Sequence, residues 1–129
     1  MKRYQTAFVA MTTLFVMTTA VTLTLPRPAE SRQTQFEMDE QAGKEYTRAD
    51  AELNRVYKKL MAKLDATGAA KLKKAQRAWI AYRDAEKDFS ADYARGGTMA
   101  SMLATMAAAD LTRQRTKILQ SALEQYRSR

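Results

Sequence analysis

From Met38 onward, small and apolar residues recur at Ala42, Tyr46, Ala49, Leu53, Val56, Leu60 and Leu64, always three or four positions apart. That recurrence is one stripe of an α-helix of about 27 residues, roughly 40 Å long at 1.5 Å per residue. Asp65, Ala66, Thr67 and Gly68 interrupt it, with Gly68 the expected C-cap, and the short turn to Ala69 implies that the next helix runs antiparallel. A second helix is expected from about Ala69 to Tyr93, with Leu72, Ala75, Gln76, Trp79, Tyr82, Arg83 and Phe89 on or beside its inner face, until Gly96 and Gly97 stop it. Thr98 or Ser101 can cap a third, whose stripe runs Met102, Met106, Ala109, Thr112 or Arg113, Thr116, Leu119, Leu123 and Tyr126. No stretch alternates as a strand does, and no internal repeat is found. The chain reads as all-α: a small antiparallel helical bundle, or an elongated helical hairpin with a third long helix packed along it. Many seam positions are alanines, which implies close helix approach, and Met99, Met102 and Met106 read as adaptable core filler.

The first 25 residues do not belong to this pattern. Lys2 and Arg3 precede a run without charge from Thr6 to Leu25, broken at Pro26. A basic start followed by an apolar stretch is an export signal or a retained membrane anchor, and either sends the rest of the chain out of the cytoplasm, periplasmic or anchored facing the periplasm. Pro26, Pro28 and the polar run Glu30 to Gln35 read as a tether, so residues 1–30 are set apart from a single domain over 31–129. The chain has no cysteine and no histidine. Disulfides, a lipidated cysteine and Cys/His or Ser/His/Asp catalysis are thereby excluded, along with the commonest transition-metal ligand. Residues 31–129 hold 19 Lys plus Arg against 13 Asp plus Glu, a net of +6 that favours anionic partners, although most of these cations read as ordinary solvated helix surface.

The densest chemistry lies between Gln76 and Asp84. Gln76, Trp79 and Arg83 fall on one helical face, which makes that face a polar-networked core or a recognition surface. Asp50 and Asn54, four apart on the first helix, are expected to meet Gln76 and Arg83, with Asp50 paired to the guanidinium, because a buried cation needs a counter-charge. Asp50, Glu52 and Asn54 do not converge as metal ligands. Thr112 and Arg115 extend the network on the third helix, and the second helix becomes the central strut of the seam. Asp84 lies about 100° around from Arg83, free to reach Arg113, Arg115 or a partner. The basic run Lys71, Lys73, Lys74 and Arg77 lacks interleaved aromatics, so nucleic acid is not an expected partner.

Four blocks carry a resemblance: Ala49 to Tyr57, Gln76 to Asp84, Gly96 to Met99, and Leu111 to Arg115. In this order they resemble the exported bacterial domain called the lysozyme inhibitor LprI-like N-terminal domain, over about Met38 to Leu119. Relatives usually place cysteines where this chain has Gln41, Lys87 and Ala107, so the resemblance implies that other contacts, a polar network or a partner subunit, replace crosslinks worth about 2 to 5 kcal/mol in small exported domains.

What the resemblance implies is a non-enzymatic binding protein that occludes a glycan-hydrolase cleft, needing no cofactor or metal. The expected partner-binding residues are Asp84, Asp88 and Asp92 with the turn Gly96, Gly97 and Thr98, whose glycines allow a protruding tip. Lysozyme or another envelope protein is the expected partner. Animal-type lysozymes are strongly basic, so this requires the acids to be concentrated locally. The alternative is an envelope-associated structural protein whose positive charge binds anionic lipid or wall polymer. The oligomeric state is left open.

Overall fold

A computed structural model of the protein describes residues 28–127, so the export segment lies outside the described residues. Three helices make up the fold, α1 (Pro28–Met61), α2 (Ala66–Asp92) and α3 (Ala100–Arg127), and no strand occurs among the described residues. Their order is up, down, up. The cross-links Glu45–Arg113 and Glu52–Gln120 share one sequence offset, which makes α1 and α3 parallel, with α2 antiparallel to both.

α1 begins ten residues before the expected start. Pro28 occupies its first position, where a missing N–H and a fixed φ cost nothing. The polar run read as a tether is helical, with Gln33 donating to Glu37 and Gln35 to Asp39 across single turns. The α1–α2 turn also differs from expectation. Gly68 is not the C-cap of α1 but sits in the first turn of α2, where its N–H donates to Asp65 Oδ1 at 2.7 Å. Asp65 is therefore the N-cap, because its carboxylate satisfies one of the unpaired N–H groups that every helix start exposes. Gly96, at φ +78, makes the left-handed turn after α2.

The core lies between α1 and α3. Ala42, Ala49, Leu53, Val56 and Leu60 are buried on α1, and Met102, Ala108, Ala109, Thr112, Thr116, Leu119 and Leu123 on α3. Leu53, Val56, Leu60, Leu119 and Leu123 form its densest cluster, with Tyr57, Leu64, Leu72, Trp79 and Ala122 against it. At the small-residue stretch, Thr112 is fully enclosed and donates to Ala108 O at 2.7 Å, and Thr116 donates to Thr112 O at 2.8 Å. Both hydroxyls are satisfied within α3, so two buried polar side chains need nothing from α1.

α3, not α2, is the central strut. It packs along both other helices, while the α1 and α2 backbones hardly approach each other. α2 has no buried residue at all. Tyr82 (53% exposed) and Phe89 (72%), expected on its inner face, lie outside, as does Ala75. The methionines divide too: Met102 is buried, whereas Met99 and Met106 are about half exposed.

Leu53→Ala should therefore lower the unfolding free energy by about 2 to 5 kcal/mol, and Asp65→Ala by about 1 kcal/mol, in chemical denaturation followed by circular dichroism. Equal losses at the two positions would contradict this division between core and cap.

Candidate functional site

Because α2 buries no side chain, its attachment depends on what its inner face offers, namely Leu72, Gln76, Trp79 and Arg83. Trp79 is half-buried against the leucine cluster, and two guanidiniums flank its ring. Arg83 lies 5.3 Å from the indole centroid and 5.8 Å from that of Tyr46 on α1, while Arg115 on α3 lies 6.0 Å from the indole. Arg115 Nε also donates to Gln76 Oε1 at 3.1 Å. One residue from each neighbouring helix is thus drawn to α2 through the face of an aromatic ring, an attraction worth about 0.5 to 2 kcal/mol per contact depending on desolvation. Burial pushes the Arg115 guanidinium below its ordinary pKa.

The expected network is therefore split. Gln76, Trp79, Arg83 and Arg115 come together, with Tyr46 as a member that the sequence reading missed. Asp50 and Asn54 stay apart from it, Asn54 donating to Asp50 Oδ2 at 2.8 Å on the surface of α1. Thr112 is committed to its own helix. The Asp50–Arg83 pairing is not formed. Arg83, with a side chain only 12% exposed, instead donates through Nε and Nη2 to the adjacent Asp84 at 3.0 and 2.8 Å. The guanidinium sits over the rings of Trp79 and Tyr46 and finds its counter-charge in the adjacent Asp84.

Asp84 therefore answers Arg83 rather than Arg113 or Arg115, and its side chain is half exposed. With Tyr46, Arg83, Lys87, Thr105 and Ala108 it lines a polar recess of about 270 Å³ where the three helices meet. Asp88 is exposed, and Asp92 pairs with Arg95 at the surface. Gly96, Gly97 and Thr98 form the exposed turn beyond them. On the far side, Met38, Ala42, Met102 and Met106 line an apolar groove of about 450 Å³ between the early part of α1 and the start of α3. The spacing of Met102 and Met106 was the signal for it, although that spacing reads equally as core.

Glu52, bonded by Arg55 (Nε to Oε2, 2.7 Å), is held below the usual carboxylate range by that bond. Among the described residues, no cluster of three or more acids is placed to hold a metal ion.

Three long helices clamped by arginines on one indole, with half-exposed acids beside the clamp, define a small all-α domain. The family model "Lysozyme inhibitor LprI" matches residues 27–119, and the chain belongs to that family, as a member without cysteines. It is also 40% identical over 104 residues to an uncharacterised protein of Rhizobium meliloti, the match covering 70% of this chain and 75% of the relative. No solved structure matches. The positions at which relatives are expected to carry cysteines fall one on each helix: Gln41 on α1, Lys87 on α2 and Ala107 on α3.

A double-mutant cycle checks the clamp. Gln76→Leu and Arg115→Met should show a coupling energy of about 0.5 to 3 kcal/mol, whereas Asp50→Leu and Arg83→Met should add to within about 0.5 kcal/mol. The opposite ranking would restore the Asp50–Arg83 pairing.

Proposed function

We propose that this protein is an exported, non-enzymatic inhibitor of a glycan hydrolase of the lysozyme kind, acting by occluding the substrate cleft with the acidic end of α2 and the turn that follows. The observation that carries this reading is the family match over residues 27–119. The distribution of charge supports it. The first half of α2 bears Lys71, Lys73, Lys74 and Arg77 and no acid, whereas its second half bears Asp84, Glu86, Asp88 and Asp92 against Arg83 and Lys87. Acid is thus concentrated where a basic hydrolase would meet it, despite the chain's formal charge of +8.

Gly96, Gly97 and Thr98 give that end an exposed turn of small residues to present to a cleft. Occlusion asks for shape and charge and for no reacting group, in keeping with a chain that lacks histidine and cysteine. The first residues supply the export route; among the described residues, no helix is long and apolar enough to cross a membrane.

A second reading draws on the opposite end. Lys58, Lys59, Lys63, Lys71, Lys73 and Lys74 are all exposed around the α1–α2 turn, a basic pole suited to anionic lipid or wall polymer.

Titration of the purified chain against a c-type lysozyme, and against anionic vesicles at two salt concentrations, separates the two. Inhibition at micromolar concentration, weakened about tenfold or more by Asp84→Lys with Asp88→Lys, is expected. Absent inhibition together with salt-sensitive vesicle binding would transfer the function to the basic pole.

A further inference from the structure

The side of α2 that faces away from α1 and α3 carries Ala75, Ala78, Tyr82, Ala85 and Phe89, continued by the capping residue Tyr93, at spacings of three, four, three, four and four. All six are exposed, Phe89 at 72% and Tyr93 at 95%. This is a second apolar stripe, continuous over about five turns, with the heptad spacing by which one helix receives another. Alanines suit any solvated helix, but Tyr82, Phe89 and Tyr93 in one line expose a large aromatic surface beside them. We infer that it is a seam for a second copy of this chain, with the two α2 helices antiparallel across a two-fold axis near Tyr82.

The order of side chains along the helix selects this occupant. Small residues, Ala75 and Ala78, stand in the first half and large ones, Phe89 and Tyr93, in the second. Antiparallel pairing about Tyr82 sets Ala75 of one copy against Phe89 of the other and brings Ala78 beside Ala85, so the two helices can approach closely on either side of the axis. Charge follows the same order. Lys74 and Arg77 flank the stripe early, and Asp88 and Asp92 flank it late on the same side. In an antiparallel pair, equivalent flanks meet, which brings each copy's cations to the other's acids; in a parallel pair opposite flanks meet and this complementarity is lost. A two-fold axis requires self-complementarity of this kind.

The isolated helix also gains from such a neighbour. α2 has no acid in its first turn and no base in its last. With bases early and acids late, its charge order opposes the helix dipole. An antiparallel copy presents the opposite order alongside. The Asp92–Arg95 pair at its end is exposed on both sides and weak enough to exchange. Asp88 and Asp92 would be shared with the inhibitory surface, so the pairing is tested with no hydrolase present.

The absence of cysteine from the chain makes that test direct. In the full chain, Tyr82→Cys, Ala75→Cys and Phe89→Cys are made singly and oxidised mildly. A bridge needs Cα atoms about 4.4 to 6.8 Å apart. Tyr82→Cys alone should give a covalent dimer, while Ala75→Cys and Phe89→Cys should crosslink only when mixed. In parallel, sedimentation equilibrium should show Lys74→Glu with Arg77→Glu weakening self-association by roughly tenfold or more, with Asp88→Lys and Asp92→Lys in the same chain restoring it. All these positions are exposed, so circular dichroism should stay unchanged. A monomer at all concentrations would overturn the inference. So would equal crosslinking of each single variant with itself, which marks a parallel pair, or crosslinking only after a lysozyme is added, which assigns the face to the target.

Discussion

Everything in this fold depends on how closely α3 can approach α1. The approach is set by four small residues, Ala108, Ala109, Thr112 and Thr116, which lie buried one after another along α3. Threonines at such positions would ordinarily introduce unpaired hydroxyls into a dry seam. Here each hydroxyl returns its hydrogen to the carbonyl four residues earlier, so the surface facing α1 is effectively apolar. Below them the leucine cluster supplies the bulk of the burial, and above them Met102 closes the seam. Two long parallel helices are thereby fixed without a crosslink.

The third helix is held by different physics. With no buried residue, α2 cannot rely on area removed from water in the way that α1 and α3 do. It is attached by Leu72 and Trp79 against the leucine cluster and by guanidinium–ring contacts, with Arg83 near both Trp79 and Tyr46 and Arg115 near the indole while bonding Gln76. Guanidiniums suit this role because they are weakly hydrated, stack flat on aromatic faces and still keep donors for a carboxylate at their edge. The same stacking that anchors α2 determines where Arg83 can find a counter-charge, and hence why Asp84 is bound to the domain rather than free.

The sequence disclosed the elements that obey a single rule. The α1 stripe from Ala42 to Leu60 is buried or half-buried at every position, as is Leu64 just beyond the helix end at Met61, because a single periodic face was turned to the other helices. α2 defeated the same reading because it carries two stripes. Leu72, Gln76, Trp79 and Arg83 face inward, and Ala75, Tyr82 and Phe89, which interleave with them at helical spacing, face outward. Periodicity alone does not say which of two apolar faces a domain keeps. The family blocks were legible because they are local in sequence; the failure of the expected Asp50–Arg83 pairing was not, because nothing local reveals that Arg83 will sit over two rings and bond Asp84 instead. Gly68 misled for a related reason. A glycine after a helix reads as its cap unless the preceding residue, here Asp65, has a prior claim as the start of the next.

Net charge is likewise a poor guide to this molecule, for a reason of length. α2 has 27 residues, so the centres of its basic and acidic halves lie about 20 Å apart at 1.5 Å per residue. At physiological ionic strength, screening reduces the interaction of exposed charges beyond about 8 Å. An approaching surface therefore senses one half or the other, and the formal +8 of the whole chain governs neither encounter. The Asp84–Asp92 end and the Lys58–Lys74 end thus present opposite charge to their surroundings. What an approaching surface meets is the order of residues along one helix, presented as the clamp around Trp79 holds α2 against α1 and α3.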